Sequence, residues 1–381
     1  MSDHTVAERP EILGHAAVRA AAKDTETYSS DLQGDRDVRS YRQLPLEADP
    51  PRHTLFREAL QPLFMGAAIA PHVPEFEALA RRLITDIDAR GGGEIGAELA
   101  LPYVMGCLTI IYNRPQDFDE WVSWGPDVWT AEAYAKGELT PESHRALRER
   151  NFDLPSQRSG ATLQAYLERV FTAAEQTPDK DPAEFDVWDQ IARLEVSGSP
   201  VTRDEMYGMA NVLLAGGRDT VIKLTTGIVW HLINRPEDRI FLAENPDSYN
   251  KAIGELARYL SPLPKMERVR RDPAADGGEE EYVLLSYVSA NHDRSVWPDA
   301  DRLDLHRPRK PHLAFGFGRH SCMGMNITEH EAKAFLNVLV NEWPGWEFDG
   351  EPEIAWATEP GVDGPITVID RFEAVRVRVG R

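Results

Sequence analysis

Residues 315–322 read FGFGRHSC, and Met323 and Gly324 follow. A single cysteine set among glycines at 316, 318 and 324 has the composition of a loop that holds a thiolate against a metal. Such a ligand must stay anionic, unoxidised and aimed, and backbone N–H groups pointed at the sulfur do all three. Glycines let the chain turn tightly and pass close to a flat macrocycle. The loop therefore reads as one thiolate set against a haem iron, with Phe315 lying on the sulfur side and Arg319 and His320 reaching outward. A helix-patterned run, 325–341, begins just past the cysteine, so its N-terminal dipole would stabilise the negative sulfur. The alternative is a glycine-rich loop around a buried cysteine that packs as a small hydrophobe.

Two further segments carry residues of chemical interest. Residues 202–234 open with the capping box Thr202-x-x-Glu205 and run without proline to Pro236, which predicts one helix of about nine turns. Gly216 and Gly217 fall in its middle, each costing about 1 kcal/mol relative to alanine, so a ligand or groove must approach the backbone there, or another helix must cross closely. Asp219 and Thr220 follow at once, and a carboxylate beside a hydroxyl is a means of delivering protons to a buried site. Glu255 and Arg258 are three apart, the spacing of a carboxylate–guanidinium pair on one helical face.

HLAFGFGRHSCMG resembles the haem-ligand loop of the cytochrome P-450 superfamily. AGGRDT at 215–220 and ELAR at 255–258 match two more of its motifs in the right order, and the resemblance extends from about His53 to the C-terminus. It implies haem b (iron protoporphyrin IX) with Cys322 as metal ligand. Asp219 and Thr220 become the catalytic pair that passes protons to the dioxygen under reduction, with Ala215 and Gly216 beside the cofactor. Arg218 stands at the variable position, as a salt-bridge partner. Glu255, Arg258 and Arg307 of DLHRP form a structural trio. His53 and Arg57, one helical turn apart in PPRHTLFR, with Arg268 of MERVRRD and His320, match the groups that bind the haem propionates, two carboxylates that need cationic and hydrogen-bonding partners in an apolar pocket. Phe315 and Gly324 complete the cofactor-binding set.

Length and composition agree with one large domain. The chain has 381 residues, 42% of them hydrophobic, and no low-complexity linker or internal repeat. The expectation is a single domain over 1–381, mainly α with a minor β region, built as a triangular-prism helical domain around a buried haem. The helical core spans about 51–260 and the haem-ligand loop 313–324. A net charge of −21 argues against nucleic acid and against an anionic membrane as partner. No run of eighteen apolar residues occurs, the N-terminal segment has neither signal nor anchor pattern, and the two cysteines make no disulfide framework, which together predict a cytoplasmic protein with Cys107 in the core. Between Leu305 and Cys322 stand Arg307, Arg309, Lys310 and Arg319 without an acidic residue. That basic patch suits an acidic electron donor. By resemblance the donor is a small ferredoxin with its reductase; otherwise these are ordinary loop charges.

Helical patterns occupy about 13–23, 51–64, 72–90, 98–113, 119–135, 142–175, 184–193, 202–234, 237–244, 246–260 and 325–341, with strand-like pieces near 282–288 and 364–379. Against the family, the N-terminal β region reads as reduced and the hairpin at 271–282 as compressed. Residues 31–48 would cover the distal haem face, made polar by Arg39, Tyr41 and Arg42. Trp121, Trp124, Trp129 and Tyr134 roof the pocket or fill the core, and Lys265 pairs with a substrate carboxylate or points to water. These features favour a small polar or anionic substrate. LLSYVSANHD and DLHRPRKPHLAFG resemble a bacterial subgroup that includes O-demethylases of methoxylated compounds, and that resemblance implies oxidative O-demethylation by a dioxygen-dependent monooxygenase. A peroxide-driven hydroxylase would replace the acid–alcohol pair. A haem-thiolate sensor or carrier would not need it.

Overall fold

The computed structural model describes residues 9–32, 41–124, 161–271 and 281–380. They form two compact units, one drawn from residues up to 30, 64–104 and from 218 onward, the other from 31–63 and 105–217. Arg39, Trp129, Tyr134, the compressed hairpin at 272–280 and the helical patterns within 125–160 lie outside the described residues.

The α-helices of five or more residues are α1 (His15–Lys23), α2 (Arg52–Leu60), α3 (Val73–Ala89), α4 (Leu101–Ile111), α5 (Phe118–Ser123), α6 (Ala161–Gln176), α7 (Val187–Ala192), α8 (Arg203–Gly216), α9 (Asp219–Asn234), α10 (Pro236–Glu244), α11 (Tyr249–Leu260), α12 (Tyr287–Asn291) and α13 (Met325–Asn341). The strands are β1 (Glu11–Ile12), β2 (Tyr28–Ser29), β3 (Gly92–Glu94), β4 (Glu195–Val196), β5 (Ser199–Pro200), β6 (Lys265–Arg270), β7 (Glu281–Ser286), β8 (Trp346–Phe348), β9 (Glu353–Glu359), β10 (Ile366–Ala374) and β11 (Arg376–Val379). The mainly α reading with a minor β part holds.

One expectation fails. The run 202–234 is two helices rather than one, because the backbone leaves helical geometry at Gly217 (φ −92°, ψ 5°) and Arg218 (φ −104°, ψ −85°). The capping box is present: the Glu205 amide donates to Thr202 Oγ1 at 3.3 Å and the Thr202 amide to Glu205 Oε2 at 2.8 Å. It starts α8, but two consecutive glycines supply too little helix propensity to carry the last turn through.

In the first unit, a four-stranded sheet runs in the order β1-β7-β6-β2, with β1 parallel to β7 and the other pairs antiparallel. The two-residue strands β1 and β2 flank α1 and form the two edges of this sheet. Val18, Ala21 and Ala22 of α1 pack with Leu285, Tyr287, Ala290 and Leu313. Helix α9 crosses α11 so closely that a Cβ at Gly227 would lie 2.4 Å from a Leu260 methyl, so a larger residue there would have to displace that side chain. Glu255 and Arg258 are buried on α11, joined by two bonds of 2.8 Å, and Arg307 reaches the same carboxylate at 3.1 Å. Spare guanidinium hydrogens go to carbonyls of Asn291, Ala300, Pro298 and Asp299, so the buried charges are hydrogen-bonded as well as paired.

The second unit is built around aromatic rings. Trp121, Trp124, Tyr112, Tyr166 and Trp188 pack at centroid distances of 5.2–6.4 Å, mostly edge to face. The two described members of the predicted aromatic roof are therefore core residues. Arg114 bridges Asp117 and Asp186, while the Tyr166 hydroxyl donates to Asp117 at 2.6 Å and accepts from Trp188 Nε1 at 2.8 Å. Burial first, then the neighbouring carboxylate, pushes the Tyr166 phenol well above its ordinary value.

Candidate functional site

The cysteine loop is shaped by its backbone. Gly316 and Gly318 have φ of +66° and +72°, a region that side chains beyond glycine rarely enter, and a Cβ at Gly318 would meet the Ala22 carbonyl oxygen at 2.7 Å. The Gly316 amide donates to Leu313 at 3.0 Å and the Cys322 amide to Phe315 at 2.8 Å, which closes the loop on itself. Asn291 Oδ1 anchors its start by accepting from the Leu313 amide at 2.6 Å. Arg19 lies over the Phe317 ring at 4.2 Å. Cys322 is exposed, which removes the alternative of a buried packing cysteine, whereas Cys107 is buried as expected.

Immediately after the cysteine, Gly324 caps α13 without a side-chain bond, and a Cβ there would sit 3.7 Å from Cys322 Sγ. The sulfur thus lies at the positive end of a 17-residue helix. Arg268 is buried on β6 and Tyr287, whose phenol burial pushes up against the opposing charge of Arg268, brings its hydroxyl within 3.4 Å of where a Gly316 Cβ would be. Among the described residues no cluster of three or more His, Cys, Asp or Glu is arranged to hold a metal. A soft thiolate donor on a glycine loop, such as Cys322 offers, is of the kind that holds a haem iron.

On the other predicted segment, Arg218 is buried and pairs with the exposed Asp219 carboxylate at the first turn of α9. Thr220, half-buried, follows. Gly216 is exposed, and among the described residues outside its own helix nothing lies within 4 Å of where a Cβ would stand; a Cβ at Gly217 would meet a Leu108 methyl at 3.2 Å. Ala215 is half-buried. On α2, His53 is buried and Arg57 half-buried one turn on.

Two substrate expectations change. Lys265 neither awaits a carboxylate nor points to water: its ammonium donates to Glu11 at 2.6 Å and pairs with Glu359 at 2.5 Å. Tyr41 is buried against Tyr207, and Arg42 is paired with Asp31, so neither presents an unengaged polar group. Sequence reasoning also passed over Lys223, an isolated cation in the apolar run VIKLTTGIVW, whose Nζ donates to the Ile369 carbonyl at 2.7 Å. Its isolation among apolar residues was the available signal.

Comparison with known proteins points to a class of haem-thiolate oxygenases. The cytochrome P-450 family model matches residues 278–345, which contain the cysteine loop. The chain is 29% identical over 358 residues to cyclomarin C epoxidase of Salinispora arenicola, covering 91% of this chain and 86% of that protein. It is 26% identical over 298 residues to linalool 8-monooxygenase of Pseudomonas putida, covering 77% and 69%. A solved carbohydrate-active P-450 superposes with a TM-score of 0.77 at 24% identity, covering 96% of this chain and 91% of that one. The chain belongs to the cytochrome P-450 superfamily: it is a monooxygenase of the P-450 fold that carries haem b. Among the described residues no helix is long and apolar enough to cross a membrane.

Proposed function

We propose that Cys322 is the axial ligand of the haem, and that the enzyme oxidises a small polar or methoxylated molecule, with O-demethylation as the reaction. The observation that carries the first part is the exposed Cys322 held on a backbone-shaped loop at the N-terminus of α13. When bound, haem supplies reductive activation of dioxygen with two electrons and two protons. The α13 dipole and the loop amides keep the sulfur anionic. Asp219 and Thr220 move protons toward the reacting oxygen, and Arg218 holds the Asp219 carboxylate. His53, Arg57, Arg268 and His320 bind the propionates, while Ala215, Gly216, Phe315 and Gly324 line the ring.

In O-demethylation a methyl C–H becomes C–OH, the hemiacetal C–O bond breaks to release an alcohol or phenol and formaldehyde, and the second oxygen atom leaves as water. Support for this chemistry is the resemblance of LLSYVSANHD (284–293) and DLHRPRKPHLAFG (304–316) to a bacterial subgroup that includes O-demethylases. By name, the two relatives given above are an epoxidase and an 8-monooxygenase. A ferredoxin with its reductase supplies the electrons at the surface bearing Arg309, Lys310 and Arg319, all exposed, in a cytoplasmic setting.

The test begins with the carbon monoxide difference spectrum of the reduced protein. A thiolate-type Soret band in the wild type, lost in Cys322→Ser, is the expected result; its absence from fresh wild-type protein overturns the ligand assignment. Turnover of methoxylated arenes and methyl glycosides with ferredoxin and reductase should then release formaldehyde. Product formed only with peroxide would favour the peroxide-driven reading, and no turnover with either donor the sensor or carrier.

A further inference from the structure

Five readily oxidised side chains of the second unit stand in one continuous set of ring contacts. Tyr112, just past the end of α4, lies 6.2 Å from both Trp121 and Trp188. Trp121 is 6.3 Å from Trp124, Trp124 is 5.2 Å from Tyr166, and Tyr166 returns to Trp188 at 6.0 Å. All five are buried. Leucine or phenylalanine would fill such a core without a polar atom to satisfy. What indole and phenol add is an electron that leaves easily, and because tunnelling falls steeply with separation, rings in contact pass it on quickly. One end of the set meets the helix that supplies the proposed haem contacts: the Tyr112 hydroxyl donates to the Leu213 carbonyl at 3.2 Å, two residues before Ala215 on α8.

The other end has a place to put a proton. The Tyr166 hydroxyl donates at 2.6 Å to Asp117, which also accepts from Arg114 at 2.6 and 2.9 Å, while Trp188 Nε1 donates to the phenol oxygen at 2.8 Å. An electron taken from a buried ring without its proton would leave a cation in the core, which is costly. Trp121 Nε1 is buried and has no hydrogen-bond partner among the described residues, so nothing there takes its proton. At Tyr166 electron and proton leave together: the O–H bond breaks, the proton moves to Asp117, and a neutral phenoxyl and a neutral carboxylic acid remain. Arg114 still has Asp186 at 2.7 Å, and Trp188 still donates to the phenoxyl oxygen. Beyond Trp188 the ring contacts pass to Phe171 at 5.8 Å, a phenyl ring that is far harder to oxidise, so the path ends at Tyr166.

We propose that these rings relay oxidising equivalents away from the haem, entering at Tyr112 and ending at Tyr166 with Asp117 as proton acceptor, when dioxygen is activated with no substrate in reach. The entry point rests on the placing of Ala215 and Gly216 at the ring, given above. Each transfer takes one electron from Tyr166 and lowers the haem by one oxidising equivalent. A thiol or ascorbate then returns an electron to the phenoxyl, and Asp117 returns the proton.

The test mixes haem-loaded protein with a peracid in the absence of substrate, freezes it rapidly and reads it by electron paramagnetic resonance. Wild type should give a tyrosyl signal that narrows when the chain is made with ring-deuterated tyrosine. Tyr166→Phe should lower that signal several-fold and bleach the haem several-fold faster, and Tyr207→Phe should change neither. Asp117→Asn still accepts a hydrogen bond but takes no proton, and should also lower the signal. No radical in the wild type, one untouched by deuteration, or an equal signal in Tyr166→Phe overturns the relay. Should Tyr166→Phe not fold, high-field spectra of the unaltered chain decide, because a Tyr166 phenoxyl accepts two hydrogen bonds, from Asp117 and Trp188; a phenoxyl that accepts none overturns it. A photogenerated ruthenium(III) oxidant should raise the same radical without the haem, and the carbon monoxide spectrum reports separately on Cys322, so the two readings fail with different signatures. A signal with ruthenium and none with peracid, in protein whose thiolate band is intact, overturns the entry at Tyr112 and the proposal with it.

Discussion

At residues 313–324 the main chain positions the chemistry: two left-handed glycines, an amide of Cys322 on Phe315 and a carbonyl of Ala22 against Gly318 leave the cysteine one place to go. At residues 218–223 side chains do the positioning, through Arg218 on Asp219 and Lys223 on Ile369. A ligand to a fixed metal tolerates little displacement, and dihedral restriction gives that at no cost in buried charge. A proton-delivering carboxylate must exchange partners, and an ion pair at an exposed site can open and close. The first region should therefore respond to substitution through folding, the second through turnover.

The largest effect expected is in the second region. Asp219→Asn keeps the shape of the side chain but removes its proton-transfer capacity, and should lower coupled turnover by roughly 10²–10⁴-fold while the carbon monoxide spectrum stays that of the wild type. Stopped-flow turnover against spectrum separates the two; a loss of haem binding instead would show that Asp219 is structural. Gly318→Ala probes the first region. A Cβ at φ +72° and 2.7 Å from a main-chain oxygen should cost roughly 2–4 kcal/mol, measured by urea unfolding, with retained protein binding less haem.

The smallest effect is a pH dependence. The Lys223 amine is about 8 in the folded chain against an ordinary 10.5, so between those values the unfolded chain binds more protons and stability rises with pH. Its penalty is fully present below pH 8 and is at most about 3 kcal/mol. Lys223→Met should accordingly be more stable than wild type at pH 7, and the gap should close by pH 10.5. A gap independent of pH would mean that the amine is not desolvated.

Elements with strong local signals were legible in the sequence. Helix α13 begins and ends where its pattern does, and Thr202–Glu205 marks the start of α8. The break at Gly217 was not, since a paired glycine is compatible with a continuous helix until tertiary packing chooses. Strands β1 and β2 are two residues long, too short for any period to register, and β9 was missed although its partner β10 was read. For the candidate site, motif residues could be named from order and spacing, but the partners of Lys265 lie at Glu11 and Glu359, at opposite ends of the chain. No local rule connects them. Arg307 was placed with Glu255 only because a family pattern supplied the link.

The sheet order β1-β7-β6-β2 has a consequence for synthesis. Glu11 of β1 aligns with Leu284 of β7. A ribosome adding about 5–20 residues per second needs on the order of 15–50 s to travel between them, and domains tend to fold as their last contacts emerge. The unit formed by 31–63 and 105–217 is complete in sequence well before that. The nascent chain must therefore carry its first strand unpaired while an aromatic core gathers behind it, and a slow codon stretch after Gly217 would lengthen that wait without altering a single contact in the finished protein.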